Sequence, residues 1–155
     1  MEKNLGAARG AIVAFFTALG AYLGWKGILL LAWVAVMALD YLSGTIAACK
    51  DGAWSSNIAR EGLSHKGGMI FTVLVAAISD WVMLAVSQYI PLGIRWPGII
   101  LPLVLAWYIV TELGSILENA VKMGATVPGW LMKLLKTTVD KMDSLGENAL
   151  EEDAQ

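Results

Sequence analysis

The sequence predicts an all-α integral membrane protein. It reads as four transmembrane helices, the first either spanning or lying in the interface, followed by a C-terminal amphipathic helix. Three observations predict this. Of 155 residues, 57% are hydrophobic and only 15% charged, with a mean hydropathy of +0.65, whereas average soluble domains carry about 25% charge. The apolar residues gather in long stretches broken only by single acidic residues. The Lys and Arg residues are divided unevenly among the connections. A single cysteine, Cys49, excludes an intrachain disulfide scaffold. The net charge of −2 gives no reason to expect a nucleic acid partner.

The first stretch, residues 10–25, is free of charge and would measure about 24 Å as a helix. That is short for a hydrocarbon core of roughly 30 Å, although Arg9 and Lys26 can snorkel at its ends. A cleaved signal peptide is one rival, since Lys3 and Arg9 supply a basic flank. Tyr22, Leu23, Trp25 and Lys26 then crowd the place where small residues are wanted. A flat interfacial helix is the other rival. Gly6, Gly10, Ala14 and Ala18 recur at every fourth residue, and Gly20 and Gly24 repeat the spacing. Small residues so placed form a helix-association face.

The second stretch, 27–49, is interrupted only by Asp40, and the third, 67–90, only by Asp80. The fourth, 96–121, holds Glu112 and Glu118, with Pro97 and Pro102 near its start. Together these make a membrane domain over residues 1–121. The polar segment from Lys50 to Lys66 reads as a connection, with His65 as a solvated loop side chain or, less simply, a pH switch. After Gly124 and Pro128, residues 122–142 form a basic amphipathic helix. Its Leu131, Leu134, Leu135, Val139 and Met142 lie on one side, and Lys133, Lys136, Asp140 and Lys141 on the other. That pattern suits a helix lying on anionic headgroups, or one packed on a partner or bundle. Residues 143–155 are acidic and read as a disordered tail.

Four spans place nine of the eleven basic residues on one side and two, Lys26 and Arg95, on the other. The positive-inside rule then sets both termini in the cytoplasm of a multi-pass inner-membrane protein. Charge does not decide whether the first stretch spans. Trp25 and Trp96 fall at the outer boundary and Trp54 and Trp130 near the inner one, as interfacial anchors; Trp33, Trp81 and Trp107 read as packing residues.

Asp40, Asp80 and Glu112 each cost about 2.5–3.5 kcal/mol at a helix centre, so they should face protein or water. Asp40, Ser43, Gly44 and Ala47 share one helix face; Glu112, Ser115 and Asn119 share another, flanked by a row of Gly114, Glu118 and Lys122. These polar faces could converge. They are either internally satisfied structural groups or the lining of a hydrated path or subunit seam, with a proton relay as a third reading. No catalytic constellation, phosphate-binding loop, cofactor site or metal site emerges from the residues. An intramembrane aspartyl dyad of Asp40 and Asp80 lacks the expected glycine-flanked context.

The segment Glu112-Leu-Gly-Ser115-Ile116-Leu-Glu118-Asn119, followed by Gly124 and Pro128, resembles the phage-lysis and toxin-secretion holins, which carry an E-x-x-S-I-x-E-N segment at that place. Asp40-Tyr-Leu-Ser43-Gly44 is similar to that family's D-x-x-[ST]-G element. The likeness extends to Ser56, Gly62, Lys66 and Asp80, over roughly residues 30 to 135. It implies a non-enzymatic protein of the bacterial cytoplasmic membrane, encoded by a phage or prophage. Such proteins oligomerise and open lesions that release an endolysin or a toxin, without necessary contact with that cargo. A small ion-coupled transporter subunit is the alternative, as is a non-conducting antiholin or membrane scaffold.

Overall fold

Apolar surroundings leave backbone N–H and C=O groups no solvent partner, so a chain of long apolar runs satisfies them internally as helices. Among the described residues, proline does not interrupt this. Pro97 and Pro128 fall outside the helices, and Pro102 sits in a first turn, where its missing N–H has no intrahelical partner anyway. The computed structural model describes residues 2–90 and 96–152. It contains α1 (Glu2–Lys50), α2 (Ser56–Tyr89), α3 (Ile100–Lys122) and α4 (Gly129–Glu152). Among the described residues, three segments are long and apolar enough to cross a membrane: Gly24–Lys50, Ala59–Tyr89 and Ile100–Lys122.

α1 joins the first two expected stretches and is bent at Gly24, with φ 68° and ψ −173°. That region is open essentially to glycine alone. Gly24 therefore ends one helix and starts another, so the register that would put Gly20 and Gly24 on one face stops there. α1 and α3 terminate by the same device. Gly52 and Gly124 adopt positive φ, Gly52 N–H donates to Cys49 O and Gly124 N–H to Val121 O. The next residues, Ala53 and Ala125, reach back to Ala48 O and Ala120 O. These are Schellman closures, which satisfy the orphan carbonyls of a helix end.

α3 is the central helix. It packs along α1, α2 and α4, whereas α1 and α2 touch each other little. Its Leu105 is fully buried against Trp33, Met69 and Val73, with Leu29, Met37, Leu101 and Tyr108 around them. Two lysines staple α1 to the ends of α3. Lys26 Nζ donates to Gly98 O at 2.6 Å at one end, and Lys50 Nζ to Met123 O at the other. Elsewhere the surface is apolar: Leu30, Val34 and Leu42 on α1, and Phe71, Leu74 and Val75 on α2, are exposed.

Three expectations are corrected. The connection between the second and third stretches is confined to residues 51–55, because Ser56–Lys66 forms the first turns of α2. Residues 143–152 continue α4, where a disordered tail was expected. Trp81 is 70% exposed and packs on nothing central, since α2 meets its neighbours along one side only. Trp33 is buried as expected, and Trp107 is half-buried between α3 and α4.

Candidate functional site

The centre of the molecule holds charged side chains. On α1, Asp40, Ser43, Gly44 and Ala47 fall on the face turned to α3, and Ala47 is buried. The absence of a side chain at Gly44 lets Asn119 of α3 approach: a Cβ there would meet Asn119 Nδ2 at 3.4 Å. Lys66 of α2 enters the same space. Its ammonium lies 2.6 Å from Glu112 Oε2 and 3.0 Å from Asp40 Oδ2. Asn119 Nδ2 donates to Asp40 Oδ1 at 3.2 Å and to Ser43 Oγ at 3.1 Å, and Ser43 Oγ–H donates to Asp40 O. One side chain from each of three helices thus meets at Lys66, whose own side chain is only 10% exposed.

Depth along the helices is matched. Asp40 and Glu112 each lie ten residues before the helix end stapled by Lys50, and Lys66 lies ten residues after the start of α2. Each is therefore about 15 Å from that end, near the middle of a ~30 Å core. A buried lysine with two carboxylates satisfies the charges that hydrocarbon would penalise most. Two cavities of about 180 and 420 Å³ flank the cluster, and Asp40 and His65 line both.

Asp80 does not join this cluster. It sits at the other end of α3 and caps that helix from α2. Ile100 N–H and Leu101 N–H each donate to its carboxylate at 3.0 Å, and Trp96 Nε1 donates at 2.9 Å. The first turn of a helix has N–H groups without intrahelical partners and a positive dipole end, so a carboxylate there is doubly favoured. Gly98, at φ 68°, carries the chain past it; a Cβ would stand 2.5 Å from Lys26 Nζ.

The remaining expected residues are dispersed. Ser115 Oγ–H donates within its own helix, to Thr111 O. Glu118 is exposed in a groove of about 550 Å³ between α3 and α4. Trp25, Trp54 and Trp130 are exposed, and the Lys26 ammonium lies 5.8 Å from the Trp25 ring. Trp96, by contrast, is tied into the protein through Asp80. Lys133 and Lys136 are exposed on α4. That helix does not extend away from the bundle: it folds back along α3, and Trp107 Nε1 donates to Asp143 Oδ1 at 2.8 Å. The surroundings of Gly6, Gly10 and Gly20 lie outside the described residues.

Lys66 and His65 are the positions that pattern reading misplaced. Lys66 sits at the end of a run rich in charge and glycine, KDGAWSSNIAREGLSHK, which masks the start of α2. Two unpaired acids within apolar stretches were the available signal that a buried cation had to exist.

Comparison with known proteins is consistent with this architecture. The model of the bacteriophage holin family matches residues 17–140. An uncharacterised 14.9 kDa protein encoded in the nagH 3′ region of Clostridium perfringens is 30% identical over 91% of this chain and 99% of its own. Uncharacterised proteins of Clostridium perfringens type A strain 13 and of Halalkalibacterium halodurans are 34% and 33% identical. They cover 66% and 70% of this chain, and 69% and 76% of their own. No solved structure matches.

Proposed function

The chain belongs to the bacteriophage holin family, and on that premise we propose that it assembles in a bacterial cytoplasmic membrane and opens lesions that release an endolysin or a toxin. The observation that carries this reading is the match over residues 17–140, which takes in all three long apolar segments and the whole Lys66 cluster. The protein is a holin-like, non-enzymatic membrane protein. Its partners on this reading are further copies of itself and anionic headgroups, with an endolysin as a cargo that it need not touch.

The geometry supports a two-stage account. In the isolated protomer the costly carboxylates are engaged: Asp40 and Glu112 on Lys66, Asp80 on the start of α3. Only 11–22% of the most apolar window of each span is buried within the protomer, so most of its surface is left for lipid or for other copies. Crowding of protomers exchanges lipid contacts for helix contacts, through small-residue faces such as those bearing Gly6 and Gly10 or Gly20. The N-terminus and the connection between α3 and α4 stay cytoplasmic in this account, which requires the segment before Gly24 to cross the membrane.

Inducible expression together with a cytoplasmic endolysin tests the reading. Abrupt lysis after a delay is expected, and expression without the endolysin should collapse the membrane potential. An intact potential at high expression would overturn it. The buried cluster and its flanking cavities also suit a small ion-coupled transporter subunit, which would show solute-dependent flux across a preserved barrier.

A further inference from the structure

We propose that α4 stands upright in the assembled lesion, its charged face forming the wall of a water-filled lumen shared by several copies of the chain. The proposal rests on the lesion reading above and adds which element meets the water.

α4 starts beside the inner end of α3 and runs back along it. Its Met132 and Lys133 line a groove together with Glu118, and Asp143 reaches Trp107 through the 2.8 Å hydrogen bond. Trp107 lies fifteen residues before Lys122, about 22 Å along the axis. Asp143 therefore stands roughly two thirds of the way along α3, well inside the span. Leu131, Met132, Leu135, Val139 and Met142 are half-buried, while Lys133, Lys136, Asp140, Lys141 and Asp143 are exposed; Lys133, Lys136 and Asp140 rim the groove against α3 that Met132, Leu135 and Val139 also line. A helix with that face has no stable place against lipid tails, and α4 is not among the segments apolar enough to span. The α3 surface beside it is polar as well, through Thr111, Ser115 and Glu118.

The rest of the protomer presents the opposite surface. The exposed side chains of α1 and α2 at the same depth include Leu30, Val34, Phe71 and Val75. A protomer with one wet flank and otherwise apolar sides cannot separate that water from lipid alone. Further copies, each contributing α3 and α4 to the same centre, close it.

The test uses the full chain carrying Cys49→Ala, reconstituted in vesicles of phosphatidylethanolamine, phosphatidylglycerol and cardiolipin that enclose a dye. Spin labels at Leu103→Cys and Ser144→Cys report the position of α4, because both sites are exposed. An upright α4 keeps them within roughly 20 Å. A helix lying flat at the inner interface would separate them by on the order of 30 Å or more, since Leu103 alone stands about 28 Å above Lys122. Single labels at Lys136→Cys and Asp140→Cys should be several-fold more accessible to a water-soluble nickel complex than a label at Leu103→Cys, which should favour dissolved oxygen. A long distance, or oxygen-dominated accessibility on α4, would overturn the upright wall. Dye escape from the same vesicles reports the lesion reading separately: escape with a flat α4 sinks this proposal alone, and retained dye with an upright α4 sinks the lesion reading and the shared lumen with it.

Discussion

Lys66 is the residue on which the protomer turns. Removing one partner from a buried ion cluster leaves the others uncompensated, a loss of about 3–5 kcal/mol. Lys66→Met is therefore expected to lower the stability of the detergent-solubilised chain by that order, measured by denaturant titration. Adding Asp40→Asn and Glu112→Gln to Lys66→Met should restore much of the loss, because a neutral polar cluster carries no unpaired charge. If the triple variant is no more stable than Lys66→Met alone, the cluster is not electrostatic in origin. Asp80 makes a second prediction. Asp80→Ala strips partners from Ile100 N–H, Leu101 N–H and Trp96 Nε1, and should cost about 1–3 kcal/mol, with hydrogen exchange accelerated at the start of α3 before anywhere else in that helix. Asp40 and Glu112 were legible in the sequence as acids stranded in apolar runs, and so was Asp80. Their partners were not. Spacing along a helix reports which residues share a face, but the pairing of Lys66 with Asp40 spans 26 residues and that of Asp40 with Asn119 spans 79. Such meetings are set by packing between helices.

At the scale of elements, the bend in α1 is the feature most dependent on one residue. Gly24 holds a backbone conformation that costs other residues about 1–3 kcal/mol. Gly24→Ala is expected to straighten α1, so that spin labels at Thr17→Cys and Ile28→Cys, both exposed positions, report a continuous helix with about 16 Å of rise between them. A distance unchanged from that of the parent chain would place the cause of the bend outside the glycine. The spans themselves could be read from hydropathy, and the breaks at Pro97, Gly124 and Pro128 from turn chemistry. The start of α2 could not, since the mostly polar and small residues there look like a loop until Lys66 meets Asp40 of α1 and Glu112 of α3. The direction of α4 was likewise hidden. Its two-sided pattern fits an interface as well as a neighbouring helix, and the packing along α3, with Trp107 donating to Asp143, distinguishes them.

For the whole molecule, the 57% apolar content acquires a location: it lies chiefly on the outside of a narrow core centred on Leu105, while Asp40, Lys66, Asp80 and Glu112, charges within the spans, are turned inward. That inversion is what a chain built for lipid and for contact with its own copies requires. Topology gives the next prediction. An even number of crossings before α4 puts a tag at the N-terminus and one inserted in the connection between α3 and α4 on the same, cytoplasmic side, protected from protease added to right-side-out vesicles. Digestion of the N-terminal tag alone would mean that the segment before Gly24 does not cross. The central claim, that copies of this chain suffice to breach a bilayer, is tested most directly by efflux from vesicles holding both a small dye and a folded fluorescent protein of endolysin size. Above a threshold protein-to-lipid ratio the account predicts abrupt loss of both; retention of both at every ratio would contradict it.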